Sequence, residues 1–487
     1  MPQDIITFEN VCYSYPNEKK PALENINLTV KECEFLAVMG ENGAGKTTFC
    51  KLINGIIPNL SGGKMSGTVT VDGLTTVSST TARLAQIAGM VMDDPDAQIF
   101  TSSVRSETAF GAENLLLPPQ EIEERVKWAL AAVGLAGYEN RQPVTLSGGE
   151  KQRLSIAASL AMRTKILVLD EPLCRLDPNG AQEALSVLRS IREKYQITII
   201  IAAHDSKMAA DFADRVCVLK NGRIVSCDTA KTIFSNHVFL EENGIRPPRE
   251  ADINKIFTIK NVNVNEEPAI KINNFNFSYE NSGTSIENIN LSIEDNDFAA
   301  IIGKNGCGKT TLLKNITGLL KPCSGDIYIR GKNTKKLTVS EISKEAGFVM
   351  QNPDNQLFTS SVFKEVSFAL KNLKFSKQEI NQRVKDALKT AGLENPDAFP
   401  HALSRADRTK TVTACILAMG CKIIIFDEVD IGQDYRGSLK IMDIARDLHS
   451  KGFTIIFVTH NMSLVCEYAR RLIMMDRKGI MMDMRRG

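Results

Sequence analysis

The stretch FLAVMGENGAGKTT, Phe35 to Thr48, sets an unbroken apolar run against a glycine-rich turn that ends in a lysine and two threonines. An apolar run this short, with no polar alternation, predicts a strand buried on both faces, as in a parallel sheet. Gly40, Gly43 and Gly45 let the backbone curl, so that its N–H groups and the start of the next helix can surround a phosphate. Strand, phosphate loop and helix together predict an α/β fold built on a mainly parallel sheet.

The same pattern returns as FAAIIGKNGCGKTT, Phe298 to Thr311. Further blocks recur in the same order: MDDPDAQIFTSSV (Met92 to Val104) as MQNPDNQLFTSSV (Met350 to Val362), ILVLDEP (Ile166 to Pro172) as IIIFDEV (Ile423 to Val429), and Ala203-His204 as Thr459-His460. Motifs that repeat in register mark a duplicated domain. The expected domains are residues 1–245 and 269–487, with residues 246–268, which hold two adjacent prolines, several charges and little periodicity, as a linker. Apolar runs at Lys165 to Leu169, Lys422 to Phe426, Thr198 to Ala202 and Thr454 to Val458 predict further strands alternating with helices. Asn221-Gly222 predicts a closing hairpin over Val216 to Ser226, and the Met-rich tail Met474 to Met484 predicts its counterpart, packed on the core rather than binding metal.

Composition narrows the function. Charged residues make up 24% and hydrophobic residues 43%, and the net charge is +2, so no basic field points to nucleic acid. The eleven cysteines include no CxxC pair, which predicts free thiols in a reducing compartment. No apolar run is long enough to span a bilayer, and the N-terminus does not resemble a secretory signal. Any work at a membrane is expected to use spans supplied by other subunits.

The loop motif assigns chemistry. Candidate ATP-binding residues are Gly40, Asn42, Gly43, Gly45, Lys46, Thr47 and Thr48, with Gly303, Asn305, Gly306, Gly308, Lys309, Thr310 and Thr311 as their repeat. Lys46 and Lys309 are expected on the β- and γ-phosphates. Thr47 and Thr310, with Asp170 and Asp427 at the ends of later strands, are expected to hold Mg2+. Glu171 and Glu428 come next and are placed to polarise the attacking water.

Many phosphate-loop folds share those parts, and LSGGEKQR, Leu146 to Arg153, singles out one. With this segment the chain resembles the ABC ATPases. The resemblance implies two ABC-type domains, each with a mainly parallel sheet, an antiparallel β subdomain and a helical subdomain. It implies that the domains pair head to tail, so that Ser147, Gly148 and Gly149 cap the γ-phosphate held by the other domain. The chemistry agrees, because a helix start without side chains can approach an anion closely. The resemblance also implies that His204 and His460 touch the γ-phosphate, that Tyr15 and Tyr279 stack on adenine, and that Gln351 contacts Mg2+ and water.

The halves depart from the pattern differently. LSRADRTK, Leu403 to Lys410, puts Arg405 and Ala406 where the signature glycines stand, although Arg405 offers a cationic substitute. Asp93 replaces the glutamine found at Gln351, and the loop Val429 to Asp434 lacks the Leu-Asp of Leu176-Asp177. With head-to-tail pairing, all three departures fall in the Lys46 site. The expectation is a catalytic Lys309 site and a degenerate Lys46 site.

DPDAQIF and NPDNQLF resemble, more narrowly, the ATPase subunits of energy-coupling-factor importers, as does TIFSNHVFLEENGIRPP, Thr232 to Pro248. The resemblance implies a peripheral motor on the cytoplasmic face of the cell membrane. Its partners would be a transmembrane coupling subunit, received near Gln98 and Gln356, and a membrane subunit that captures a vitamin or metal ion. A simpler role for those glutamines is to hold their loop. A fused sugar-importer ATPase fits the length but not the Pro-Asp-x-Gln blocks. A soluble twin-ABC protein on ribosomes would call for a long charged linker and a basic surface.

Overall fold

The computed structural model describes residues 3–18, 20–174, 176, 178–248, 253–259, 267–279 and 285–487. The chain divides into two compact units, Met1–Pro248 and Arg249–Gly487.

In the first unit the phosphate loop leaves a six-stranded sheet, ordered Arg223–Thr229, Arg215–Lys220, Phe35–Met39, Thr198–Ala202, Ile166–Asp170 and Ala88–Val91. The last five strands are parallel, and the first closes the hairpin. Phe35–Met39, Ile166–Asp170 and Thr198–Ala202 are buried at every residue, which is why they read as unbroken apolar runs. Alternate side chains serve two cores: Phe35, Ala37 and Met39 pack with Val104, Leu130 and Leu160 of the helical region. Leu36 and Val38 pack with Phe49 and the antiparallel sheet formed by Leu23–Lys31, Asp4–Ser14, Lys64–Val71 and Leu74–Thr75.

The second unit repeats this plan, with Phe298–Ile302 in the middle of a seven-stranded sheet and Ile270–Ser278 in a four-stranded antiparallel one. Its extra strand comes from the stretch expected to be linker. Ile253–Ile256 form a short helix, and Phe257–Thr258 pair antiparallel with Arg485–Arg486. Part of residues 246–268 thus belongs to the second sheet, while 249–252 and 260–266 lie outside the described residues. Both expected hairpins form, the Met-rich one as Arg471–Asp476 with Gly479–Arg486. No helix among the described residues is long and apolar enough to cross a membrane.

Candidate active site

Two glycines of the loop are required sterically. Gly40 has φ 147° and a Cβ there would stand 2.2 Å from the Leu219 carbonyl oxygen, while Gly45 has φ 106° and its Cβ would meet Leu23 at 2.7 Å. The loop so fixed delivers the chain into the helix Lys46–Ile53, and its repeat into Lys309–Ile316. Lys46 is buried and donates to the carbonyls of Gly40 at 3.1 Å and Glu41 at 3.2 Å. Lys309 repeats these bonds with Gly303 at 2.9 Å and Lys304 at 3.2 Å.

Glu171 and Glu428 follow fully buried strands, and both turn through a left-handed conformation, with φ 50° and 48°. That conformation costs a side chain about 1 kcal/mol, a strain typical of functional positions. Hydrogen bonds of 3.0 Å from Glu171 N–H to Ala202 and from Glu428 N–H to Val458 hold it in place. The turn brings Glu171 Oε1 to 2.9 Å from His204 Nε2 and 3.5 Å from Lys46 Nζ. Glu428 Oε1 lies 3.1 Å from His460 Nε2 and 3.7 Å from Lys309 Nζ. Burial opposes ionisation of both glutamates, yet the histidine bond and the lysine charge bring Glu171 down to about 2 and hold Glu428 below its usual value. Both carboxylates are therefore charged at neutral pH.

Asp170 and Asp427 are pushed up instead, by burial first and then by the adjacent glutamate, Asp427 to about 6. Thr310 Oγ1 donates to Asp427 Oδ1 at 3.0 Å, and Thr47 hydrogen-bonds Asp170. Asp170 Oδ1 is buried with no hydrogen-bond partner among the described residues. A hydroxyl beside a carboxylate with an unused oxygen suits a hard cation such as Mg2+. Gln351 Nε2 reaches Glu428 Oε2 at 3.2 Å, whereas the negative charge of Asp93 bears on Asp170.

The tyrosines flank the loops. The Tyr15 hydroxyl lies 3.1 Å from Thr48 Oγ1 and that of Tyr279 lies 3.2 Å from Thr311 Oγ1. Each ring packs edge-on against its strand neighbour, Tyr13 or Phe277.

Ser147 caps the helix Gly148–Ala161 in a capping box with Glu150. A Cβ on Gly148 or Gly149 would meet nothing closer than 3.9 Å within the unit. Packing therefore does not require glycine at either position. In the second unit Ser404 caps Arg405–Met419 by accepting from Asp407 N–H, without a capping box, so loss of the glycines leaves the helix start intact. Arg405 Nη2 donates to the Gln351 carbonyl of its own unit at 3.1 Å. Register from the Asp-Glu pair also corrects the loop comparison: Gln433-Asp434 stands where Leu176-Asp177 does, so only the leucine is exchanged. Asp434 caps the following helix through Gly437 N–H at 2.6 Å, while Asp177 lies outside the described residues.

The Pro-Asp-x-Gln blocks form a clip in each unit. Gln98 donates to the Met90 carbonyl at 3.0 Å and accepts from Met92 N–H at 3.0 Å, and Gln356 does the same between Phe348 and Met350. These glutamines do hold their loop. Asp96 pairs with Lys151 at 2.6 Å, and Asp354 takes both oxygens to Arg408 at 2.5 and 2.7 Å, tying the block to the signature helix. Beside each clip stands an aromatic pair that sequence reasoning missed. Phe100 meets Phe110 edge-on at 4.7 Å and Phe358 meets Phe368 at 4.8 Å, all four rings exposed. The repeated Ile/Leu-Phe after each glutamine was the available signal.

In each unit, then, lysine, carboxylates, histidine and hydroxyl converge on one phosphate loop, the constellation of a phosphate-loop ATPase. The sequence profile described as "ABC transporter" matches residues 23–174 and 286–430. Relatives provisionally named ABC transporter ATP-binding proteins include one from Methanosarcina mazei, 35% identical over 98% of this chain and 88% of its own length. Another, from Caldanaerobacter subterraneus, is 34% identical over 96% and 89%. Among solved structures, cbiO1 from Clostridium perfringens, described as part of the ABC transporter complex cbiONQ, is 35% identical. It covers 49% of this chain and 94% of its own, with a TM-score of 0.45. The chain belongs to the ABC transporter family and carries two of its ATPase domains in tandem. It is an ATPase of a family that takes ATP with Mg2+ and works with transmembrane subunits.

Proposed function

We propose that this chain is the motor of an energy-coupling-factor type importer for a vitamin or metal ion, bound peripherally to the cytoplasmic face of the membrane. The observation that carries the reading is the repeated clip with its exposed aromatic pair, Phe100–Phe110 and Phe358–Phe368. Four exposed rings in two matching places suit an apolar helix from a coupling subunit better than they suit water. The clip ties that surface to the signature helix through Asp96–Lys151 and Asp354–Arg408, so a push on the rings reaches the residues proposed to touch phosphate.

The geometry supports the hydrolytic roles proposed for these residues. Lys309 neutralises the phosphates, and Glu428, ionised and oriented by His460, accepts the proton of the attacking water. Thr310, Asp427 and Gln351 would hold Mg2+, which supplies Lewis acidity at the phosphates when bound. Ser147, Gly148 and Gly149 complete this site in head-to-tail pairing of the domains. The Lys46 site would combine Asp93 with Arg405 and Ala406, and is proposed to bind nucleotide but turn over slowly.

The test is recovery of tagged chain with a polytopic subunit from detergent-solubilised membranes of its own cells. Phe100→Asp with Phe358→Asp is expected to lower that recovery at least about tenfold while the purified ATPase keeps its turnover. Unchanged recovery would remove the coupling role of these rings.

A further inference from the structure

The closing hairpin of the first unit carries two cysteines that ATP hydrolysis does not use. Cys217, on Arg215–Lys220, is fully buried, and Cys227, on Arg223–Thr229, is half-buried. A two-residue Asn221-Gly222 turn with unbroken register would set Cys217 against Ser226. A bulge between Ile224 and Ser226 advances the second strand, and Cys227 stands directly across from Cys217. Cys227 packs against the core cluster that holds Cys217. Cross-strand Cα atoms lie about 4.5–5.5 Å apart, inside the span of about 4.4–6.8 Å that a disulfide bridges.

Arg215 sets the chemistry of the pair. Its guanidinium donates to Cys227 Sγ at 3.2 Å, to Glu34 Oε1 at 3.0 Å and to the Thr29 carbonyl at 3.1 Å. The second unit keeps this frame with an exchange. Arg471 donates to Asp483 at 2.9 and 2.6 Å and to Asp297 at 2.7 Å. Asp483 holds the position of Cys227 and Ile473 that of Cys217, with the same bulge between them and the turn. One half of the molecule thus places a carboxylate where the other places a thiol. A guanidinium that elsewhere pairs with an anion favours the thiolate here. The hydrogen bond with Cys217, and after it the charge of Arg215, hold the Cys227 thiol below its ordinary value, while the same bond and burial raise Cys217.

We propose that Cys227 and Cys217 form a peroxide-reactive dithiol, with Cys227 the nucleophile and Cys217 the resolving thiol. The Cys227 thiolate attacks one oxygen of hydrogen peroxide: the S–O bond forms, the O–O bond breaks, and the departing hydroxide takes a proton to become water. Cys217 then attacks the sulfenic sulfur, the S–S bond forms, and hydroxide leaves as a second water with the Cys217 proton. Two thiols lose two electrons and one peroxide gains them. The consequence falls near ATP, because the Leu219 carbonyl, two residues beyond Cys217, abuts Gly40 of the phosphate loop.

The full chain would be treated with one equivalent of hydrogen peroxide, alkylated under denaturing conditions and digested with trypsin without reduction. Expected is a disulfide joining the peptides of residues 216–220 and 224–231, formed at least about tenfold faster than oxidation of the exposed Cys323. Dimedone should label Cys227 only after Cys217→Ser. Arg215→Met should slow the reaction about tenfold, and Cys227→Asp, which copies the second unit, should fold and abolish it. Recovery of both thiols alkylated while Cys323 oxidises would overturn the proposal. So would dimedone labelling of Cys227 in the unsubstituted chain at the same level as in Cys217→Ser.

Discussion

Glu428→Gln is expected to lower steady-state ATP turnover of the whole chain about a thousandfold, on the order of 4 kcal/mol of barrier, with nucleotide binding retained. The amide cannot take a proton from water, and it exchanges an ionised partner of His460 and Lys309 for a neutral one. Glu171→Gln makes the same chemical change in the first unit, where Glu171 has equivalent contacts with His204 and Lys46. It is expected to cost less than about threefold, because the Lys46 site, proposed to combine Asp93 with Arg405 and Ala406, is the one proposed to turn over slowly. Phosphate release from the two variants is the measurement. Equal losses would sink the unequal-site reading.

Gly149→Asp should reduce turnover about a hundredfold, near 3 kcal/mol, by placing a carboxylate at a helix start proposed to face the γ-phosphate. Stability should not explain the loss, since a Cβ at this position has room. Thermal melts matching the unsubstituted chain would check that. Ala406→Asp is the mirror change in the second unit, and little effect is expected because Ala406 is proposed to border the slow Lys46 site. A comparable loss from Ala406→Asp would mean that the slow site contributes to turnover after all.

The parts of the fold visible in sequence were those with an unbroken local pattern. Phe35–Met39 and Phe298–Ile302 are buried on both faces and sit at the centre of their sheets, so hydrophobicity alone delimits them. The loop lysines, strand-end carboxylates and histidines were legible because each occupies a fixed offset from such a strand. Phe257–Thr258 was not, because a two-residue strand has no period and owes its existence to an unpaired edge offered by Gly479–Arg486. The Asp96–Lys151 and Asp354–Arg408 pairs were also hidden, since they join residues more than fifty positions apart. The cross-strand cysteines depend on one bulge, and the unbulged hairpin that Asn221-Gly222 suggests would have separated them.

The room around Gly148 and Gly149 has a consequence for how such a chain drifts. Alanine or arginine at a helix start of this kind favours the helix over glycine by up to about 1 kcal/mol. With the proposed γ-phosphate contact, folding and turnover select in opposite directions at the same two positions. The pair Arg405-Ala406, on a helix with its serine cap intact, is what stability alone would choose. Where that contact is not required, a library of first units sorted only for thermal resistance should lose its glycines in the same way.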